Sequence, residues 1–562
     1  MPVKSPYPDF EIPDTDIWSF LFERNDRAFP DDKELFVDAD TKRSYTFGQL
    51  RDSAVTFAHG LKATWNWKKG DVLVIFSPNC VDTPTLMYGV AWTGGVISPA
   101  NPTYTVDELA FQLGNSEAKA LATQRALLPV AREAAKKVGL PEDRIILIGD
   151  ERDPTGMVKH FTSIRNISGT TRFRRQRVDA KKDVAYLVYS SGTTGFPKGV
   201  MLSHRNIVAN ILQCKHTEGR YLSWNGNADG KGDRILGLLP FFHIYGLTCI
   251  LHVSVHAGYA VYVMPKFEIE KFCSHVQNYR ITFIFVAPPV ILLLGKHPVV
   301  DKYDLSSLRM LNSGAAPLTR ELVQTASARI KVPIKQGYGL TETSPTTHTQ
   351  TWEDWDKDIG SVGQLHPNME AKYMTTPEDD SEPQEVPVGQ VGELWMRGPN
   401  VFMGYHKNKK ATDGCLTPDG WFMTGDVGYQ DKDGKFFITD RIKELIKYKG
   451  FQVPPAELEG ILLDNELIDD VAVIGVHSEQ HACEVPRAYV VRSAASKASG
   501  VSDADEAAKI VAWIHDKVAQ HKRLRGGVRF VDAIPKSVSG KILRRVLKDQ
   551  AKKEDEKLKA KL

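Results

Sequence analysis

Between Tyr189 and Val200 the chain carries four hydroxyl side chains, three glycines and a lysine: Ser190, Ser191, Gly192, Thr193, Thr194, Gly195, Lys198 and Gly199. Hydroxyls and glycine-freed backbone N–H groups donate to phosphate oxygens, and a lysine supplies the point charge that grips a phosphate. The preceding run, Val184-Ala185-Tyr186-Leu187-Val188, reads as a buried strand. The polar stretch is therefore expected as a loop at a strand end, where open α/β sheets hold their ligands. A helix is expected from Ser203-His204-Arg205-Asn206 onward. The spacing is not that of a Walker loop, which needs Gly-x-x-x-x-Gly-Lys-Ser/Thr.

Further stretches follow in order. They are Leu239-Pro240-Phe241-Phe242-His243-Ile244-Tyr245-Gly246, Leu311-Asn312-Ser313-Gly314-Ala315-Ala316-Pro317, Gln336-Gly337-Tyr338-Gly339-Leu340-Thr341-Glu342-Thr343, Gly420-Trp421-Phe422-Met423-Thr424-Gly425-Asp426, Asp440-Arg441-Ile442-Lys443-Glu444-Leu445-Ile446-Lys447 and Pro535-Lys536-Ser537-Val538-Ser539-Gly540-Lys541. With the Ser/Thr/Gly loop, these resemble the motifs of the adenylate-forming enzymes, nearest the coumarate-CoA ligase and luciferase branch. The resemblance spans nearly the whole chain and is strongest from Tyr186 onward.

That resemblance implies ATP-dependent ligation of a carboxylic acid to coenzyme A. The carboxylate attacks the α-phosphate of ATP, giving an acyl-adenylate and pyrophosphate, and the thiol of CoA then displaces AMP. Two anions must meet in the first step, so cations and magnesium are required. By position, the nucleotide contacts are Ser190, Ser191, Gly192, Thr193, Thr194, Gly195, Lys198, Gln336, Gly337, Tyr338, Gly339, Thr341, Asp426, Arg441 and Lys541, with Glu342 and Thr194 at the magnesium. Tyr338 suits stacking on adenine, and Asp426 suits the ribose hydroxyls. Catalytic roles fall to Lys541, His243, Thr194, Glu342 and Lys447. The acyl site maps to His243, Tyr245, Cys249, Asn312, Ala315, Gly339, Pro345 and Thr346. Polar Asn312 and small Cys249 depart from the plant phenylpropanoid pattern, so an aryl or arylalkyl acid with a polar substituent is expected. Fatty acyl ligation and a luciferase-like oxygenase are the alternative readings. Lys443 takes the hinge position, and Lys447, Lys449, Gly450 and Gln452 would face the site after the hinge turns. Lys266, Lys449 and Gly450 map to CoA contacts.

Bulk properties agree. At 562 residues the chain exceeds a single core, so at least two domains are expected. A net charge of +3 offers no electrostatic basis for nucleic-acid binding. The six cysteines, Cys80, Cys214, Cys249, Cys273, Cys415 and Cys483, contain no C-x-x-C pair and read as free thiols. Residues 1–16 are polar and proline-rich, unlike a secretory signal. Phe241 to Met264 has no Lys, Arg, Asp or Glu, but its histidines and glycines point to a buried helix followed by a strand rather than a membrane span. Ala560-Lys561-Leu562 resembles the peroxisomal Ser-Lys-Leu signal, which implies the peroxisomal import receptor as a partner and cytoplasmic residence otherwise.

The elements that must position these residues alternate. Thr46-Phe47-Gly48-Gln49 has a capping-box pattern, followed by a helix face of Leu50, Ala54, Phe57, Ala58 and Leu61. Strands at 71–76, 95–98, 118–123 and 144–148, separated by helices, predict a parallel or mixed sheet covered by helices. The composition changes near Asp440, where a helix starting at Pro454-Pro455 and three short strands follow. The expected fold is α/β: a large multi-sheet N-terminal domain over 1–440 and a small α+β domain over 441–562, joined by a hinge.

Overall fold

The computed structural model describes residues 2–166, 173–190, 197–227, 229–377, 381–449, 451–481, 483–537 and 540–559. Ser191, Gly192, Thr193, Thr194, Gly195 and Gly450 lie outside the described residues, as does Ala560-Lys561-Leu562.

Among the described residues the strands form five sheets. The first large sheet has eight strands, and the six from Val184–Ser190 through Val96–Ala100 and Val72–Phe76 to Lys159–His160 run parallel. A nine-stranded sheet and a five-stranded antiparallel sheet complete the large part. One hydrophobic core joins the two largest sheets and the helices between them. The helix Phe47–Trp65 shows why those helices form where they do. Thr46 Oγ1 accepts from the Gln49 amide at 3.2 Å, and Gln49 Oε1 accepts from the Thr46 amide at 2.9 Å, so two orphan donors are satisfied. Leu50, Ala54, Phe57, Ala58 and Leu61 are then fully buried on one face. Truncating Leu50 to Ala there would cost about 2–5 kcal/mol.

The elements that carry the expected site are, in chain order, β1 (Val184–Ser190), β2 (Lys198–Ser203), α1 (His204–Glu218), β3 (Met310–Ser313), β4 (Ile334–Gly339), β5 (Thr346–Thr349), β6 (Phe422–Gln430), β7 (Phe436–Arg441) and α2 (Pro455–Leu463). The helix expected from Ser203 onward starts at His204 with Ser203 as its cap, and a strand that was not expected, β2, precedes it. Val200 and Leu202 are buried on alternate positions, so Lys198–Ser203 pairs antiparallel with β1 before α1 begins. Phe241 to Met264 forms the helix-then-strand expected: a wide helical run Gly246–His252, helix Val253–Ala257 and strand Ala260–Val263. No helix among the described residues is long and apolar enough to cross a membrane.

From Ile446 onward the chain has its own core. A three-stranded sheet (Ile468–Ser478, Cys483–Arg492, Val528–Phe530) packs with α2 and the helices Asp503–His515 and Arg544–Lys559. This part rests on the large one through named contacts. Asp440 Oδ2, at the end of β7, accepts from the Ala456 amide of α2 at 3.0 Å. Lys296 Nζ donates to the Ile468 carbonyl at 3.3 Å. Gly540 adopts φ +83°, and a Cβ there would come within 3.0 Å of Pro289. Both the left-handed backbone and the close approach favour glycine, and together they set Lys541 over the large part.

Candidate active site

The nucleotide-side residues converge where the nine-stranded and five-stranded sheets meet. β4 ends in Gly337-Tyr338-Gly339, and a Cβ on Gly339 would lie 2.0 Å from the Pro345 carbonyl oxygen, so only glycine lets the chain turn back this closely. Tyr338 donates its phenolic hydrogen to Asp426 Oδ2 at 2.6 Å. Asp426, on β6 and buried, receives Arg441 Nε from β7 on its other oxygen at 3.1 Å. Burial and the Asp426 charge hold the Tyr338 phenol well above the ordinary tyrosine range, so it stays a donor. Gln336 is buried, and its amide donates to Gln350 Oε1 at 2.7 Å, which anchors the strand beneath the site.

Lys198 and Glu342 meet through a residue the sequence did not single out. Tyr405 donates its hydroxyl to Glu342 Oε1 at 2.8 Å, and the Lys198 ammonium lies 4.8 Å from the Tyr405 ring centroid. Lys198 pairs in register with Ser190, so the two residues that flank the Ser/Thr/Gly stretch are neighbours across the strand pair. Glu342 is nearly buried, and among the described residues its Oε1 accepts from Tyr405 while Oε2 receives no side-chain hydrogen bond. A buried carboxylate beside Lys198 is the kind of oxygen donor that suits a hard divalent cation such as magnesium.

Lys541 lines the cavity together with His243. Burial and the neighbouring Arg441 push its ammonium down to about 8, while Asp426 and Glu342 oppose the shift. His243 is held neutral: burial, then the Lys541 charge, push it down to about 3. Its Nδ1 accepts from the Tyr245 amide at 3.3 Å, which leaves Nε2 to carry the proton.

All eight residues assigned to the acyl site line this same cavity. The Tyr245 hydroxyl donates to the Asn312 carbonyl at 3.1 Å, and its ring packs edge-on to Phe285 at 5.6 Å. Cys249 lies 3.3 Å from the Thr346 hydroxyl. Ala315 adopts φ +74°, a left-handed conformation that costs a non-glycine residue about 1–3 kcal/mol and recurs at ligand sites. The cavity also takes in Gly337, Tyr338 and Thr341, so adenine-side and acyl-side residues share one space.

Other expected residues stand elsewhere. Lys443, Lys447, Lys449 and Gln452 are exposed and do not line the cavity. Lys447 and Gln452 face each other across the hairpin Ile446–Tyr448/Phe451–Val453, and Lys449 lies 5.7 Å from the Tyr448 ring centroid. Lys266 is exposed beside Glu268. The cavity also includes Cys214, Thr217, Glu218, Phe285, Thr349 and His366, which sequence reading did not select. Glu218 alone left a signal: a carboxylate in the last turn of a helix opposes the helix dipole.

Residues 22–406 match the family described as AMP-binding enzyme, and residues 457–541 match its C-terminal domain. The chain is 39% identical over 558 residues to a probable 4-coumarate–CoA ligase 1 of Dictyostelium discoideum, covering 97% of each. It is 36% identical to a peroxisomal OPC-8:0-CoA ligase 1 of Arabidopsis thaliana, covering 97% of this chain and 94% of the relative. Among solved structures, ATP-bound MatB from Rhodopseudomonas palustris superimposes with a TM-score of 0.82 at 28% identity, covering 95% of this chain and 98% of that one.

Proposed function

The chain belongs to the AMP-binding enzyme family, and on that premise we propose that it is an ATP-dependent acid–thiol ligase, which joins an aromatic acid to coenzyme A through an acyl-adenylate. The observation that carries this reading is one cavity lined by Lys541, His243, Gly337, Tyr338 and Thr341 together with the acyl-side residues. A nucleotide held by Tyr338, Asp426 and Arg441 would present its α-phosphate towards Lys541. A carboxylate oxygen in the acyl cavity attacks the α-phosphorus, forming an oxygen–phosphorus bond as the α-phosphorus–oxygen bond to pyrophosphate breaks. Lys541 brings a cation to the place where the two anions approach. His243, neutral with its proton on Nε2, borders the carboxylate end without adding charge. Glu342, with Thr194, would hold magnesium, which when bound neutralises phosphate charge.

In the second half-reaction the CoA sulfur attacks the acyl carbonyl carbon and AMP leaves. The exposed positions of Lys447, Lys449 and Gln452 are consistent with a turn about Lys443 that exchanges Lys541 for this hairpin, with Lys266 taking a CoA phosphate. Residence in the peroxisome, through Ala560-Lys561-Leu562, is part of the proposal. The tripeptide and the peroxisomal naming of the Arabidopsis relative support it. A fluorescent fusion that stays cytosolic with and without Leu562 would count against that part.

The activity is tested by a pyrophosphate-release screen over aromatic, arylalkyl and fatty acids, with and without CoA. The expected products are AMP and pyrophosphate, with acyl-CoA appearing only when CoA is present. ADP as the nucleotide product would reject adenylation.

A further inference from the structure

Glu342 is tied twice to one short strand. Residues Gly404–Tyr405 pair antiparallel with β2, Tyr405 opposite Val200 and Gly404 opposite Met201. Just before that strand, the Phe402 amide donates to the Glu342 carbonyl at 2.8 Å. This backbone bond fixes where the chain runs at Glu342. The Tyr405 hydroxyl donates to Glu342 Oε1 at 2.8 Å, and this second bond fixes where the carboxylate points. A glutamate side chain has several rotatable bonds, and a backbone contact settles none of them.

The tyrosine is itself held in place. Its amide donates to Thr412 Oγ1 at 2.9 Å, and its ring packs edge-on to Phe402 at 5.0 Å. The amide of the next residue, His406, donates to the Gly199 carbonyl at 2.7 Å. The Lys198 ammonium lies over the ring at 4.8 Å from its centroid. A ring fixed this way delivers its hydroxyl to one place, so little further freedom is lost in holding the carboxylate there. Among the described residues no ion pair joins Lys198 to Glu342. The lysine meets the ring and the carboxylate meets the hydroxyl, a neutral donor that leaves the carboxylate its charge.

Resting on the ligase reading above, we infer that Tyr405 is a positioning residue for that reaction: its hydroxyl holds the Glu342 carboxylate in the orientation in which it takes the divalent cation that accompanies ATP. A group that orients a metal ligand by hydrogen bonding sets metal affinity or activity by about ten- to a hundredfold. Tyr405 acts through Glu342. Loss of the hydroxyl therefore weakens what the cation contributes to nucleotide binding, and leaves what Tyr338, Asp426 and Arg441 contribute unchanged.

The test is calorimetric binding of the α,β-methylene analogue of ATP, which cannot be cleaved at the bond that adenylation breaks. The full chain is titrated with excess Mg2+ and again in a chelator. The quantity compared is the tightening that Mg2+ produces, because chelation by the free analogue is the same for every variant. Tyr405→Phe keeps the ring. It should lose about tenfold or more of that tightening, with affinity in the chelator nearly unchanged. Glu342→Gln should lose the tightening too, and adding Tyr405→Phe to it should remove nothing further. Unchanged tightening in Tyr405→Phe would overturn the inference. So would additive losses in the double variant, or equal weakening with and without Mg2+, which is what a merely structural tyrosine gives. Wild type that binds the analogue with no tightening by Mg2+ would overturn the magnesium assignment and this inference with it. Wild type that does not bind the analogue at all would overturn the ligase reading itself.

Discussion

Tyr338 and Asp426 come from different sheets, yet their side chains meet at 2.6 Å. Asp426 is also the partner of Arg441 at 3.1 Å, so one carboxylate ties the nine-stranded sheet to the last strand before the C-terminal part.

Asp426→Asn keeps the shape but removes the charge that Arg441 and a ribose would share. Charge-assisted bonds of this kind are worth about 1.5–3 kcal/mol. The KM for ATP should rise about ten- to a hundredfold. The KM for the acid, whose site lies across the cavity, should change far less. Titration of ATP and acid separately in the pyrophosphate assay checks both, and equal changes would mean a folding defect.

Adenylation should fall as pH rises through about 8. Burial and Arg441 push the Lys541 ammonium down to that value, whereas an ordinary lysine stays charged to about 10.4. Below the limb the residue carries its charge and works; above it the charge is lost. In Lys541→Arg the guanidinium keeps its charge, so the limb in kcat/KM should move to higher pH even if the rate is lower. An unmoved limb would assign it to another group.

Lys541→Ala should slow adenylation by about a thousandfold or more, since it removes the cation where two anions approach. The same variant given preformed acyl-adenylate and CoA should be nearly unimpaired. Lys449→Ala should show the opposite pattern: pyrophosphate release kept in a single turnover, CoA transfer slowed. Matching losses in both half-reactions for both variants would leave no place for domain alternation.

Asn312→Met should turn selectivity towards apolar acids, because it removes a polar amide from the cavity lining, one whose Oδ1 has no hydrogen-bond partner among the described residues. The shift expected is about 1–3 kcal/mol, or roughly five- to 150-fold in relative kcat/KM. The ranking of apolar against hydroxylated acids reports it directly.

Much of this molecule was legible in the residues alone. Types and local spacing carried the capping box at Thr46, the buried strand before the phosphate loop, the helix-then-strand run from Phe241 to Met264 and the start of a helix at Pro455, because caps, periodicity and proline act within a few residues. The order of the motifs pointed to one chemistry. The acyl-side positions His243, Tyr245, Cys249, Asn312, Ala315, Gly339, Pro345 and Thr346 were assigned by resemblance and stand around one cavity. What local pattern could not supply was partnership at long range. Strand β2 went unseen because its pairing with β1 joins residues on either side of a Ser/Thr/Gly stretch that reads locally as an open ligand loop. Tyr405 joins Glu342 across 63 residues, and Glu218 joins Lys335 across 117. In the sequence these are an ordinary tyrosine, a helix-end glutamate and one lysine among many. Only the crossing of the sheets removes them from water, and burial is what turns an ordinary side chain into one that must find a specific partner.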